Sequence, residues 1–136
     1  MGRIMALDIG QHKTGIAVTD SLQIAAHGLR TIPTSELLEF LSDYTSGEAV
    51  EQILVGLPHH PDGTLSSNAD FIQKIAKKIA RKFEEIEIEF VDESYSSRDA
   101  RAAILGSGAK RKKRRDKELV DKIAAVIILQ RYLKHI

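Results

Sequence analysis

Apolar residues gather into five short runs along the chain, and between the later runs the apolar spacing lengthens to the helical period of about 3.6 residues. The short runs predict strands at Arg3 to Ile9, Gly15 to Thr19, Ile24 to Thr31, Gln52 to Leu57 and Ile86 to Val91. No helical linker separates the first three, so they should form an antiparallel meander. After Pro33-Thr34-Ser35, the residues Leu37, Leu38, Phe40 and Leu41 recur at helical spacing, which predicts a helix over Glu36 to Tyr44 that ends before Gly47. Ser66 or Ser67 is placed to cap a long helix running to about Phe83. Its apolar stripe is Phe71, Ile72, Ile75, Ile79 and Phe83, and its cations Lys74, Lys77, Lys78, Arg81 and Lys82 read as a solvated face. A shorter helix is expected from Ser96 or Ser97 to Leu105, and a last one from Lys117 to Leu133. This alternation predicts an α/β fold: a five-stranded mixed sheet, with a three-stranded meander and two strands parallel to the first, flanked by helices.

Length and composition narrow the class. A chain of 136 residues, 43% hydrophobic and 29% charged, fits a single domain over residues 1–136 that buries about two thirds of its unfolded surface. It has no cysteine, which excludes disulfides, thiolate zinc sites and a cysteine nucleophile. That agrees with a reducing, cytoplasmic location. Asp8 and Gly10 interrupt the N-terminal apolar residues, and no apolar run approaches 18 residues, so neither a secretion signal nor a membrane span is expected.

Net charge is only +1, yet it is unevenly spread. Lys110 to Lys122 holds eight basic and three acidic residues, against 12 basic and 16 acidic elsewhere. Lys110, Arg111, Lys112, Lys113, Arg114 and Arg115 follow Gly106-Ser107-Gly108, so residues 106–116 should form a flexible basic loop whose cations repel one another until a polyanion arrives. Nucleic acid is the partner this favours, over a solvated loop or a targeting patch. With no aromatic residue interleaved there, backbone contact is expected in place of base stacking.

Three acidic positions carry candidate chemistry. Asp8 is the one acidic residue in its strand and faces the loop from Gly10 to Thr14, where it either accepts backbone N–H bonds or holds a cation. Asp121 lies on an otherwise apolar helix, on one face with Ala125 and Ile128; pairing with Lys117 or Lys122 is the alternative to a site role. The strand ending Phe90-Val91 is followed by Asp92-Glu93. In a sheet of the expected topology, Asp8 and Glu93 emerge at the same carboxyl-terminal edge. Three converging carboxylates raise one another's pKa, and hard divalent ions with oxygen ligands relieve that conflict.

The run Ala6-Leu7-Asp8-Ile9-Gly10 through Thr14-Gly15-Ile16-Ala17-Val18, then Val55-Gly56-Leu57-Pro58 with Asp62-Gly63, then Asp92-Glu93, then Val120-Asp121-Lys122-Ile123-Ala124-Ala125 through Leu129-Gln130-Arg131-Tyr132-Leu133, resembles the YqgF (RuvX) family. The resemblance spans most of the chain. It implies a ribonuclease H-like fold, similar to that of Holliday-junction resolvases, and a nuclease that matures the 5′ end of pre-16S ribosomal RNA. It also implies that Asp8, Glu93 and Asp121 are the catalytic, metal-binding residues, in a reaction assisted by two Mg²⁺ or Mn²⁺ ions about 4 Å apart. Two positions depart from the family pattern. Ser94 follows Asp-Glu where an arginine is usual, and Lys13 replaces the arginine of the first loop. Lysine lacks the bidentate fork of arginine, and serine has no charge. Arg98, one helical turn from Ser94, is the candidate to compensate, and Lys13, Arg98 and the basic loop are the expected substrate contacts.

His59 and His60 border the same edge between Pro58 and Pro61, with His12 in the first turn; adjacent histidines point apart, so substrate contact is expected there in preference to zinc. Other functions stay open: junction resolution on branched DNA, a binding module with an inactive triad, or a phosphate loop like that of sugar kinases and actin-like ATPases, which need two such domains. The active form is read as a monomer or a homodimer.

Overall fold

The computed structural model describes residues 2–58, 68–92 and 117–134. Its strands are β1 (Arg3–Ile9), β2 (Lys13–Thr19), β3 (Ala26–Pro33), β4 (Val50–Leu57) and β5 (Glu87–Asp92). Three helices accompany them among the described residues: α1 (Leu37–Gly47), α2 (Ala69–Lys82) and α3 (Lys117–Tyr132). The strands form one sheet in the order β3-β2-β1-β4-β5. The first three pair antiparallel, and β4 and β5 continue parallel to β1. The expected mixed sheet is therefore present, and the carboxyl-terminal ends of β1, β4 and β5 share one edge.

The alternation of side chains along β1 divides the core into two layers. Met5, Leu7 and Ile9 face one way, with Ile16 and Val18 of β2 and Ile53, Val55 and Leu57 of β4. Leu37 and Leu41 of α1 and Ala69, Ile72, Ala76 and Ile79 of α2 cover that side. Ile4 and Ala6 face the other way, with Ala17 and Leu54, under Ala125, Ile128 and Leu129 of α3. A second stripe of α3, formed by Val120, Ala124 and Ile127, is also buried, which accounts for a helix apolar on nearly every side.

Most element boundaries differ from the sequence reading by one to three residues; β2 starts at Lys13, β4 at Val50, and β5 runs from Glu87 to Asp92. β3 starts at Ala26, two residues later than expected, because the Asp20 carboxylate accepts the backbone N–H groups of Ile24 (2.8 Å) and Ala25 (3.0 Å) and draws them out of the ladder. These bonds, the one from Ala25 foremost, hold the Asp20 carboxyl below its ordinary range. Gln23 turns the chain there with φ 58°. At its other end β3 runs to Pro33, which an edge strand tolerates. The helix expected from Glu36 to Tyr44 is preceded by a 3₁₀ turn over Thr34–Glu36 and runs on to Gly47. The Thr45 hydroxyl donates to the Leu41 carbonyl and the Ser46 hydroxyl to that of Asp43, at 2.7 Å each. α2 begins at Ala69, with Asn68 in the cap position expected for Ser66 or Ser67. Both serines lie outside the described residues, as does the expected helix up to Leu105. Among the described residues no helix is long and apolar enough to cross a membrane.

Candidate functional site

Asp8 ends the row Ile4-Ala6-Asp8 that faces α3. Its cross-strand partner on β2 is Gly15, and two pairs further along, on the same face, Ala6 stands opposite Ala17. Directly opposed residues on neighbouring strands have side chains about 5 Å apart on the same face, so what lies over Gly15 also lies beside Asp8. The backbone of Asp121 lies there. A Cβ built on Gly15 would collide with the Asp121 carbonyl and come within 2.9 Å of the Lys122 nitrogen. One turn further along α3, Ala125 is buried in the same cluster as Ala6 and Ala17. Small side chains thus let the helix rest on the sheet, and at Gly15 the backbone of Asp121 comes against the strand beside Asp8. Both aspartates are half-buried.

Lys122 explains the orientation of the helix further out. Its alkyl stem passes over β3, 3.1 Å from where a Cβ on Gly28 would be.

The turn that leaves Asp8 is fixed from the opposite side of the sheet. Gly10 donates its N–H to the Lys13 carbonyl (2.9 Å), closing the turn. The Thr34 hydroxyl donates to the Gly10 carbonyl at 2.6 Å. It stands 2.9 Å from the Thr14 hydroxyl, and because its one proton is already committed, Thr14 is the donor in that pair. The Thr34 backbone N–H donates to the His12 carbonyl, also at 2.9 Å. Thr14 and Thr34 are both buried, so this relay is shielded from water. Outside it, the Gln11 side chain reaches the Asn68 side chain at 3.3 Å, tying the turn to the start of α2.

Sequence reasoning missed this latch, although threonines at the end of one strand and just past another were the available signal. Thr34→Val is expected to cost about 1–3 kcal/mol, because the Gly10 carbonyl and Thr14 hydroxyl would be left without their buried partner. Thr34→Ser should keep most of that stability; urea denaturation of the two variants measures the difference.

Lys13 opens β2, half-buried, with its carbonyl inside the turn. Asp92 ends β5 at the edge that β1 and β4 also reach, paired in register with Leu57. Glu93, Ser94, Arg98, His59, His60 and the basic residues Lys110, Arg111, Lys112, Lys113, Arg114 and Arg115 lie outside the described residues. The structure therefore places the Asp121 backbone beside the strand end that carries Asp8, and the expected third carboxylate, Glu93, follows β5 in sequence. Among the described residues no group of three His, Asp or Glu could hold a metal ion. The Asp8 and Asp121 pair is an all-oxygen donor set, which suits Mg²⁺ or Mn²⁺ and suits zinc poorly.

The comparisons with known proteins agree with this architecture. The structure of T. thermophilus RuvC in complex with a Holliday junction substrate superposes with a TM-score of 0.57 at 14% identity, covering 99% of this chain and 96% of that one. The shared architecture is ribonuclease H-like. A Porphyromonas gingivalis protein named "Putative pre-16S rRNA nuclease" is 50% identical over 133 residues, covering 98% of this chain and 96% of its own length. A Christiangramia forsetii protein of the same name is 49% identical, covering 98% of both chains. A family model described as RuvX, Holliday junction resolvase, matches residues 2–135, and the chain belongs to the RuvX family.

Proposed function

We propose that this protein is a nuclease that hydrolyses phosphodiester bonds in structured RNA, with the 5′ end of pre-16S rRNA as its natural substrate, and that it does so in the cytoplasm as a single domain. The observation that carries the reading is that the Asp121 backbone lies over Gly15, the cross-strand partner of Asp8. Carboxylates gathered on one face of a sheet are a donor set that hard divalent cations favour. The names borne by relatives about half identical over nearly their whole length support the choice of RNA.

Asp8 and Asp121 would hold the metal together with Glu93, which follows β5 directly in sequence. Bound Mg²⁺ or Mn²⁺ would supply positive charge at the scissile phosphate and the activation of water. The chain itself contributes rigidity and position. The Thr34 relay fixes the turn after Asp8, the Gly15 contact fixes Asp121 relative to it, and Lys13, in the same turn, offers a cation to a neighbouring phosphate. Arg98 and the basic run from Lys110 to Arg115 would bind the flanking backbone, making affinity strongly salt-dependent.

Branched DNA is the second reading, favoured by the family description. The test is cleavage of a pre-16S rRNA leader and of a four-way DNA junction, each with Mg²⁺, Mn²⁺ or EDTA. Metal-dependent cutting of the RNA alone is the expected result. Cutting of the junction alone would move the substrate to DNA, and no cutting of either would leave a binding module.

A further inference from the structure

We propose that the outward face of α2 is a second RNA contact, at which Lys74, Lys77 and Lys78 hold the phosphate backbone of the substrate beyond the cleavage site. The proposal rests on the nuclease reading for the identity of the polyanion, though its test does not need cleavage.

α2 buries Ala69, Ile72, Ala76 and Ile79 against the sheet and leaves Lys74, Lys77, Lys78, Arg81 and Lys82 exposed on the opposite side. None of the five makes an ion pair with a described residue; the ion pair among those residues is that of Arg3 with Glu48, elsewhere in the molecule. Residues three and four apart on a helix are neighbours, so Lys74–Lys77, Lys74–Lys78 and Lys78–Lys82 are like-charge contacts that weaken the free helix. Asp70, one turn before Lys74, is the one acid of α2. At the far end, Arg81 and Lys82 line a cleft with Glu84 and Glu85, which balance them. The least compensated charge is therefore Lys74, Lys77 and Lys78, with Asp70 offsetting part of Lys74.

Its position is the second argument. α2 starts at Asn68, whose side chain meets Gln11 of the turn after Asp8. At 1.5 Å rise per residue, Lys74 lies about 9 Å along the axis from that point and Lys78 about 15 Å. The three cations thus lead away from the turn that follows Asp8, on the opposite face of the sheet from α3, so a bound strand would reach them around the carboxyl-terminal edge. The helical layer is not basic throughout: α1, beside β3, exposes Glu39 and Asp43, and Glu36 just before it is exposed too. A polyanion is accordingly drawn to the α2 side and repelled from the α1 side.

The experiment is equilibrium binding of a pre-16S rRNA leader hairpin by fluorescence anisotropy, in EDTA, over a series of salt concentrations. It compares the full chain with the triple variant Lys74→Gln, Lys77→Gln, Lys78→Gln and with the corresponding triple arginine variant. The glutamine variant should bind about 10-fold or more weakly at low salt, and its slope of log K against log salt should shrink by about 3, one for each phosphate no longer neutralised. The arginine variant should retain both. An unchanged slope in the glutamine variant would overturn the proposal, as would a weakening confined to a four-way DNA junction with RNA binding intact. Because EDTA prevents cleavage, a reduced slope stands even if the protein proves to cut nothing, and an unchanged slope fails even if it cuts RNA.

Discussion

Alanine at position 15 should unfold the protein at markedly lower denaturant than wild type. In an ordinary strand, Gly→Ala gains about 0.5–1 kcal/mol by restricting the unfolded chain. Here the new methyl group would occupy the volume of the Asp121 carbonyl, on the backbone of a helix that is buried on two sides. Neither side can yield as a flexible side chain would, so overpacking of about 3 kcal/mol should outweigh the entropic gain. Gly47 supplies the internal control. A Cβ there meets nothing within 4 Å, so Gly47→Ala should be neutral or slightly stabilising. Urea midpoints for the two variants should move in opposite directions, or the close contact at Gly15 does not exist in solution. Any Gly15→Ala protein that does fold has α3 displaced, and a displacement of about 1 Å at the site should lower cleavage by about 100-fold.

Asp8→Asn should leave the fold intact and reduce metal-dependent RNA cleavage by about 1,000-fold, corresponding to the several kcal/mol of charge stabilisation a metal supplies to a phosphoryl transition state. The substitution keeps the size and shape of the side chain and removes one of two neighbouring negative charges. Thermal stability in EDTA should stay close to that of wild type. Single-turnover rates with saturating Mn²⁺, set beside melting curves in EDTA, separate the two effects. A variant that melts early and cleaves slowly would point to a structural role for Asp8.

The features legible in the sequence are those written in local pattern. The short apolar runs located all five strands, and the absence of helical linkers before Pro33 gave the antiparallel meander. Asp8 and Asp121 stood out because each interrupts an apolar stretch. β3 was misplaced by two residues because Ile24 reads as a strand residue, while a side chain four positions earlier, Asp20, withdraws its N–H. α1 was cut short because Thr45, Ser46 and Gly47 are weak helix formers in isolation; hydroxyl bonds to the preceding turn carry the helix through them. Gly15 reads as the start of a strand. That its missing side chain admits the backbone of a helix more than 100 residues later is a tertiary fact with no local mark. The Thr14–Thr34 latch is hidden for the same reason.

If Asp8 and Asp121 hold a divalent ion between them, calorimetric titration of Mn²⁺ into the full chain will show it. Wild type should bind, and Asp8→Asn and Asp121→Asn should each weaken that binding by more than about 10-fold, beyond what outer-sphere substitutions usually cost. If both variants bind Mn²⁺ as tightly as wild type, the two carboxylates do not form a metal site and the account is wrong at its centre.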